Sequence, residues 1–445
     1  MTLCPSPQFA IPDTPCLVLD DGAPSLGESL HCARDWAAQL PRAKYLVLLC
    51  ERRSHFILGF LAAQMNGMTV LLPPSRAPGA IREILDAYPD SACLVDDGPP
   101  PAAAVVRNCR DFHPIRSARQ PASGEVSVPP EHVAAIVFTS GSTGRPRPNP
   151  KTWASLVHGA RLAIRRFGFD SRHCIIATVP PQHMYGLETS VMLPLHSGAR
   201  VHGGLPFYPE DIRLALERCP GRRVLVTTPI HLRACVSANL DWPAVERIIS
   251  ATAPLDKTLA AHAEDHFKAP VMEIYGCTEA GSLASRHTTQ EDDWLLYDDF
   301  QMTVHGEHCR VTAAHLAEEV ELADVIQLKT ARRFELLGRH ADHINLAGKR
   351  ASLADLTARL TAIPGVVDGA FLEPASVNGA TTRMAALVVA PGISEARILE
   401  RLREQIDPVF LPRPLVKVAS LPRNATGKLP RTELLELYER QVMRR

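Results

Sequence analysis

Short apolar runs recur along this chain, and segments with the period of a helix separate them. Strand-like runs occur at residues 45–49, 69–72, 92–95, 175–179, 224–226, 247–249 and 271–275, and helix-like spacing occurs at residues 57–65 and 80–87. Strands that alternate with helices form largely parallel sheets whose two faces are both covered. The sequence therefore predicts an α/β fold in which helices pack on mainly parallel sheets.

The 445 residues are enough for more than one domain, and the composition changes near residue 337. Beyond that point we expect a helix at 353–360, strands at 385–389 and 415–418, and a terminal helix from Thr432. About a hundred residues suffice for a small α+β domain. We therefore expect a large N-terminal domain over residues 1–337 and a small, mobile C-terminal α+β domain over residues 338–445. The proline-rich residues 98–130 are expected to be a surface connection.

Charge and cysteine content argue against several classes of protein. Lysine plus arginine equal aspartate plus glutamate at 48 each, so no overall field favours nucleic acid or an anionic membrane. The N-terminus lacks the pattern of a secretory signal, and no apolar run reaches the length of a membrane span. The eleven cysteines include no Cys-x-x-Cys pair, which argues against a disulfide framework or a zinc site. We expect a cytoplasmic protein with reduced thiols.

A loop rich in hydroxyl groups and glycine follows the apolar residues 134–138. It consists of Thr139, Ser140, Gly141, Ser142, Thr143, Gly144, Arg145, Pro146 and Arg147, and a helix is expected from about Lys151. Glycines let the backbone approach an anion, hydroxyl and amide groups donate to phosphate oxygens, and Arg147 adds positive charge. The spacing is neither that of a P-loop nor that of a dinucleotide-binding turn. It predicts a nucleotide site, with a solvated Ser/Gly turn as the alternative.

A second motif closes the strand-like run at residues 271–275. It consists of Tyr275, Gly276, Cys277, Thr278 and Glu279. An aromatic ring can stack on a nucleobase, a threonine hydroxyl can bind phosphate, and a carboxylate can hold Mg²⁺ that bridges phosphate oxygens. The alternative is a strand end with an exposed acid.

Two further motifs are weaker when each is taken alone. Arg339 can bind ribose or phosphate oxygens through its forked guanidinium, and Asp324 can accept both ribose hydroxyls. Near the C-terminus, Lys428 follows Thr426 and Gly427, and it reaches a phosphate only if its domain swings over the site. A polar linker and a basic surface loop are the alternative interpretations.

In their order and spacing, the four motifs resemble those of the adenylate-forming ligases, which include acyl- and aryl-CoA synthetases, nonribosomal peptide adenylation domains and luciferases. The resemblance covers the chain from about Ala134 to the C-terminus. It implies an enzyme in which a carboxylate attacks the α-phosphate of Mg·ATP and pyrophosphate leaves. A thiol of CoA, or of the phosphopantetheine on an acyl carrier protein, then attacks the acyl-adenylate. The implied cofactors are thus ATP, Mg²⁺ and CoA or phosphopantetheine, and the implied substrate is a small carboxylic acid.

The resemblance also implies roles for individual residues. Lys428 matches the lysine that neutralises charge on the α-phosphate and carboxylate oxygens, and such preorganised charge is often the largest catalytic contribution. Glu279 matches the Mg²⁺ ligand, and Thr278 matches the phosphate-binding threonine. The other implied site residues are Asp324 and Arg339 at the ribose, Tyr275 and Gly276 at the adenine, Thr252, Ala253 and Pro254 beside adenine and the acyl pocket, His183 near the acyl carboxylate, and Gly348 at the pantetheine tunnel once the small domain has rotated.

Several positions depart from the family pattern. Arg147 and Pro148 stand where Lys and Gly are usual, and Lys151 can compensate for the change. Ala341 stands at the hinge, where many relatives have an acid. A protein that kept the fold and binds nucleotide without turnover is therefore the alternative to a ligase.

The short chain and the residues around Thr278 resemble bacterial ligases of aryl-polyene pathways. That resemblance implies an aromatic acid such as a hydroxybenzoate. A fatty acid is the competing substrate, and an amine is a competing acceptor. Arg332, Arg333 and Arg413 are candidate contacts for the acidic helix of a carrier protein.

Overall fold

The computed structural model describes residues 16–19, 22–74, 76–96, 105–109, 127–140, 146–306, 308–339, 343–346, 349–374, 384–424 and 427–443. In the first three quarters of the chain the strands are β1 (Leu17–Val18), β2 (Tyr45–Leu48), β3 (Thr69–Leu72), β4 (Ser91–Val95), β5 (Val105–Asn108), β6 (Val133–Ser140), β7 (Pro146–Thr152), β8 (His173–Ala177), β9 (Arg200–His202), β10 (Arg222–Thr227), β11 (Arg247–Ser250), β12 (Val271–Cys277), β13 (Gly281–His287), β14 (Trp294–Leu296), β15 (Gln301–His305), β16 (His308–Thr312), β17 (Val320–Leu322), β18 (Asp324–Leu328) and β19 (Arg333–Arg339).

Helices connect these strands. They are α1 (Leu26–Gln39), α2 (Arg53–Met65), α3 (Pro78–Ala87), α4 (Trp153–Phe167), α5 (Met184–Leu187), α6 (Leu193–Ser197), α7 (Pro209–Arg218), α8 (Pro229–Ser237) and α9 (Lys257–Phe267), with a π-helical turn at Glu188–Met192 between α5 and α6. Side chains satisfy the free amide groups at several helix starts, as where Ser25 begins α1 with a capping box and Thr152 accepts from Ser155 N at the start of α4.

Two large sheets make up this part of the chain. The first has six strands in the order β5-β4-β2-β3-β6-β7, all parallel except β7. The second has ten strands in the order β1-β9-β8-β10-β11-β12-β13-β14-β19-β18. The first six strands in this order, from β1 to β12, are parallel. The last four, β13, β14, β19 and β18, extend the sheet in antiparallel fashion. Strands β15 to β17 form a small separate sheet. The α/β fold predicted from the sequence is confirmed.

The last hundred residues form a body with its own apolar core. Its elements are β20 (His343–Leu346), β21 (Lys349–Ser352), α10 (Leu353–Thr361), β22 (Asp368–Leu372), β23 (Ala385–Val389), α11 (Glu395–Arg403), a 3₁₀ turn (Pro408–Phe410), β24 (Leu415–Lys417) and α12 (Arg431–Val442). Buried Leu360 and Leu402 pack in a cluster made of residues of this body alone. The separate core agrees with two domains, and the boundary at residue 337 stays a prediction.

The structure contains two strands that the sequence analysis did not predict, β7 and β5. Residues 146–152 form β7, antiparallel to β6, and α4 begins at Trp153, so the helix expected from about Lys151 is confirmed and a strand precedes it. β7 is an edge strand, where the missing amide groups of Pro146, Pro148 and Pro150 cost no ladder hydrogen bond. The proline-rich residues 98–130 include β5, which pairs with β4. Within the described residues, no helix is both long enough and apolar enough to cross a bilayer.

Candidate active site

The carboxyl ends of β8, β10, β11 and β12 lie at one edge of the ten-stranded sheet because these strands are parallel neighbours. Thr178 and Thr227 meet there, with their hydroxyl oxygens 3.0 Å apart. Ligands of open α/β sheets bind at such an edge. Of the residues predicted from sequence, His183, Thr252 and Thr278 follow the ends of β8, β11 and β12.

Strands β6 and β7 of the six-stranded sheet, which we call the phosphate hairpin, approach this edge. Thr139 lies opposite Arg147 in the β6–β7 pair. The buried Asn149 amide donates to Val137 O at 3.2 Å and to Arg147 O at 3.1 Å, so it fixes the base of the hairpin. The predicted site residues that fall outside the described part of the chain are Gly141, Ser142, Thr143, Gly144 and Gly348, and Ala341 falls there too.

Thr278 and Glu279 lie in the tight turn between β12 and β13, which we call the acidic turn (residues 277–282). Both side chains are partly exposed. Lys151 of β7 reaches this turn, and its ammonium donates to Glu279 O at 2.6 Å. The phosphate hairpin and the acidic turn are therefore in direct contact, although 128 positions separate the two residues.

Three residues predicted to bind the nucleoside lie together. The Tyr275 hydroxyl donates to Asp324 Oδ2 at 2.6 Å, and Asp324 lies opposite Arg339 across the β18–β19 pair. Burial, and then the neighbouring Asp324 carboxylate, raise the pKa of Tyr275. The Tyr275 ring packs 5.6 Å from the ring of Trp294 and 5.7 Å from that of Phe334. This packing orients both the ring and the carboxylate.

The segment with Thr252, Ala253 and Pro254 follows β11. This strand is the neighbour of β12, which leads into the acidic turn. Thr252 has a φ of +82°. A β-branched residue in that region is a genuine outlier, and such strain is commonly found at functional sites. Just beyond, Leu255 N donates to the buried Glu273 carboxylate at 2.9 Å, which ties the segment to β12.

His183 directly precedes α5, at the carboxyl edge of β8. Burial, with a further contribution from the positive charge of Lys428, lowers the pKa of His183 to about 4. The imidazole is therefore neutral at physiological pH. Nearby, the Tyr185 hydroxyl donates to Ile249 O at 2.9 Å and fixes α5 on the sheet.

Lys428 is carried by the C-terminal body, yet it lies near this edge. Its own amide donates to Asn424 Oδ1 at 2.9 Å, and Gly427 N donates to Asn424 O at 2.8 Å, which makes a tight loop. Gly427 lies against Ile230 and Thr228 at the start of α8. The structure thus brings the Lys428 loop to the large body, close enough for its charge to affect His183.

A small cavity lies between α4 and the strands behind this edge. Its walls include Phe167, Phe169, Ile249 and Ile274, with Glu188 and Ser282 as polar groups. Its volume of about 10 Å³ has room for about one water molecule and is far too small for a small-molecule substrate. The cavity lies directly behind the acidic turn, because Ser282 belongs to both.

Sequence reasoning did not select two buried charged residues that organise this region. Glu188 lies in the π-helical turn and accepts from Ser282 N and from its hydroxyl. Arg53 begins α2 and donates to Ala177 O at 2.7 Å, which joins α2 of one sheet to the edge of the other. Glu188 is the only charge in residues 184–195, which are mostly apolar, whereas Arg53 follows Glu51 and Arg52 and shows no such contrast. That contrast was the available signal for Glu188, since such charges are rarely buried without a specific role.

The described residues contain no cluster of three or more His, Cys, Asp or Glu side chains arranged to hold a metal ion. Mg²⁺ needs no such cluster, because it commonly takes one or two carboxylates together with substrate phosphates and water. The partly exposed Glu279 on the acidic turn fits that mode of binding.

Comparison with known proteins agrees with this geometry. Residues 35–319 match the family of AMP-binding enzymes. The chain is 30% identical over 311 residues to a 4-coumarate–CoA ligase from Halorhodospira halophila, a match that covers 67% of this chain and 76% of that protein.

Solved structures share the fold over nearly the whole chain. One is the o-succinylbenzoate CoA synthetase of Bacillus subtilis with its acyl-adenylate, with a TM-score of 0.81, 16% identity and 95% coverage of both chains. Another is a benzoate CoA ligase from Burkholderia xenovorans, with a TM-score of 0.78, 17% identity and coverage of 95% and 96%. The chain belongs to the AMP-binding enzyme family and is an ATP-dependent, AMP-forming acid–thiol ligase.

Proposed function

We propose that this chain joins an aromatic carboxylic acid to the thiol of CoA in two steps at one cleft. In the first step a carboxylate oxygen attacks the α-phosphorus of ATP, the bond to the bridging oxygen breaks, and pyrophosphate leaves. In the second step the thiolate sulfur attacks the acyl carbon, and AMP leaves. Neither step changes an oxidation state.

The position of Lys428 is the observation that carries the proposal. Its loop belongs to the small body, but Gly427 lies on α8 of the large body, and the ammonium lowers the pKa of His183. A cation held there neutralises the charge that develops when one anion attacks another. The neutral His183 adds no second positive charge beside the carboxylate. This arrangement suits the first step, and the second step would follow withdrawal of the loop.

The other residues would hold ATP across the strand ends. Tyr275 and Gly276 would contact adenine, Asp324 and Arg339 would contact ribose, and Thr278 with the phosphate hairpin would contact the phosphates. When bound, Mg²⁺ supplies positive charge between the phosphates, and Glu279 is the residue that would hold it.

The names of relatives and of structural neighbours support an aromatic acid. Relatives and structural neighbours are named for 4-coumarate, o-succinylbenzoate and benzoate, which are all aromatic. A fatty acid is the competing substrate, and a direct comparison of acids distinguishes the two.

We propose CoA rather than a carrier protein as the acceptor. An acidic carrier helix needs a basic patch. Of the candidate contacts, Arg332 pairs with Asp298 and Arg333 pairs with Glu291, so local acids already offset both charges. Offering the adenylate to CoA and to phosphopantetheinylated carrier protein in turn decides between the acceptors.

Carboxylate-dependent exchange of labelled pyrophosphate into ATP tests the proposal. Benzoate, 4-hydroxybenzoate and 4-coumarate are expected to support exchange better than octanoate. Lys428→Ala is expected to slow exchange by at least about 100-fold and to leave thioester formation from preformed adenylate within a few-fold of wild type. Lys329→Ala, which removes an exposed lysine paired with Glu335, is the control. ATP binding without exchange on any acid would favour the binding protein over the ligase.

A further inference from the structure

The side chain of Lys151 leaves its own sheet and ends in the other one. Lys151 lies on β7 of the six-stranded sheet, and its ammonium donates to Glu279 O in the β12–β13 turn at 2.6 Å. The residue is 7% exposed. A lysine is almost never so deeply buried unless its charge is offset.

Glu188 supplies the opposite charge. It is also 7% exposed, and its negative charge partly restores the pKa of Lys151 that burial lowers. Lys151 in turn opposes the rise that burial causes in the pKa of Glu188. Opposite charges therefore lie on the two buried side chains that contact the acidic turn.

Glu188 also holds the far end of the acidic turn. Its carboxylate accepts from Ser282 N at 3.1 Å and from the Ser282 hydroxyl at 2.6 Å. Gly281 has a φ of +78°, and a Cβ atom there would lie 2.4 Å from Glu188 Oε1. Only glycine combines that backbone conformation with so close an approach of the carboxylate.

The acidic turn is thus held near its centre by Lys151 and at its end by Glu188. Lys151 binds the carbonyl of Glu279, and Glu188 binds Ser282 after the turn. We infer that Lys151 is a positioning residue for acid activation: together with Glu188 it fixes the backbone that presents the Glu279 carboxylate to the phosphates of ATP. This inference rests on the proposed function. It also replaces the expectation that Lys151 substitutes for the missing lysine at position 147.

Hydrogen–deuterium exchange on the full chain without ligand tests the positioning role and needs no activity. Lys151→Met keeps the length of the side chain and removes the donor and the charge. Amides of residues 277–283 are expected to exchange about tenfold faster, because the loss of one charge-assisted hydrogen bond favours local opening. Lys257→Met, which removes an exposed lysine paired with Asp292, is expected to leave them unchanged. Unchanged exchange in Lys151→Met overturns the inference.

Glu188→Gln is a second variant in case Lys151→Met does not fold. It keeps an acceptor for Ser282 and removes only the counter-charge. The same amides are expected to exchange faster, and the double variant is expected to lose less than the sum of the two single losses. Strictly additive losses would show that the two residues act independently and would overturn the pair.

The dependence of pyrophosphate exchange on Mg²⁺ links the pair to the reaction. In Lys151→Met the half-saturating Mg²⁺ concentration is expected to rise about tenfold, while the KM for ATP at saturating Mg²⁺ changes little. A higher KM for ATP with unchanged Mg²⁺ dependence would instead make Lys151 a direct phosphate ligand and overturn the inference. No exchange by wild type on any acid would contradict the proposed function, whereas the deuterium result would still decide the positioning of the turn.

Discussion

A Cβ atom on Gly427 would lie 2.9 Å from Cγ2 of Ile230, and Gly427 has a φ of +76°. The residue therefore permits both the left-handed turn before Lys428 and the close contact of that turn with α8. Gly427→Ala is expected to slow pyrophosphate exchange about tenfold or more, since the left-handed region costs alanine about 1 kcal/mol and the contact adds to it. Thioester formation from preformed adenylate should change little.

Two variants separate the contact from the backbone strain. The contact exists only when the loop lies on α8, so Ile230→Ala in the Gly427→Ala background is expected to restore part of the exchange rate. Gly392→Ala, in the same C-terminal body, places a methyl group in open space and should have no effect. Equal loss in Gly427→Ala and in the double variant would rule out the contact as the cause.

The Tyr275 hydroxyl is expected to matter for ATP and not for the acid. Tyr275→Phe removes the donor to Asp324, and a hydrogen bond to a charged group is worth about 1.5–3 kcal/mol. The affinity for ATP is expected to fall about tenfold or more, with little change in the KM for the carboxylate. Equilibrium binding of ATP measures this directly.

Tyr297→Phe is the matched control. Tyr297 is buried, and among the described residues its hydroxyl has no hydrogen-bond partner. Removal of that hydroxyl should leave ATP binding unchanged and leave stability equal or slightly higher. A similar loss of ATP affinity in both variants would point to general loosening of the fold.

The positions of most buried parallel strands could be predicted from the sequence. β2, β3 and β12 lie within a residue or two of the expected runs, because strands covered on both faces are continuously apolar. β7 was missed because its prolines suggest a loop, and only its place at the sheet edge makes them tolerable. Tyr275 and Asp324, which were selected from separate motifs, form a hydrogen bond, and their roles at ATP stay a prediction. The sequence analysis did not connect Lys151 with Glu188, because nothing local indicates that two charges 37 positions apart will share a buried interface.

His231 makes stability depend on pH. It is 6% exposed, and burial lowers its pKa to about 4. As the pH falls below 6.5, this histidine becomes protonated in the unfolded chain. In the folded chain it becomes protonated only near pH 4. The contribution of His231 to the free energy of unfolding is therefore fully present above pH 6.5. It is lost as the pH falls toward 4, and the loss is at most about 3 kcal/mol.

His231→Gln should flatten that dependence between pH 6.5 and 4. Urea unfolding at several pH values measures it, with tryptophan fluorescence as the signal, because all four tryptophans lie before residue 337. His262→Gln, at an exposed position, should leave the profile unchanged. A parallel shift of the whole His231→Gln curve, without flattening, would contradict the assignment.

Arg53 is expected to be essential for the stability of the large body. Its side chain is fully buried and donates to Ala177 O, Val179 O and the Ser190 hydroxyl. Arg53→Met fills similar space but leaves these buried acceptors without a donor, so the free energy of unfolding should fall by about 3 kcal/mol. Arg53→Lys keeps the charge without the fork and should lose less than Arg53→Met but still be destabilised.

Arg165→Met, at a half-exposed position paired with Asp299, is the control and should cost less than about 1 kcal/mol. Equal losses at positions 53 and 165 would mean that the buried guanidinium does not join the two sheets energetically.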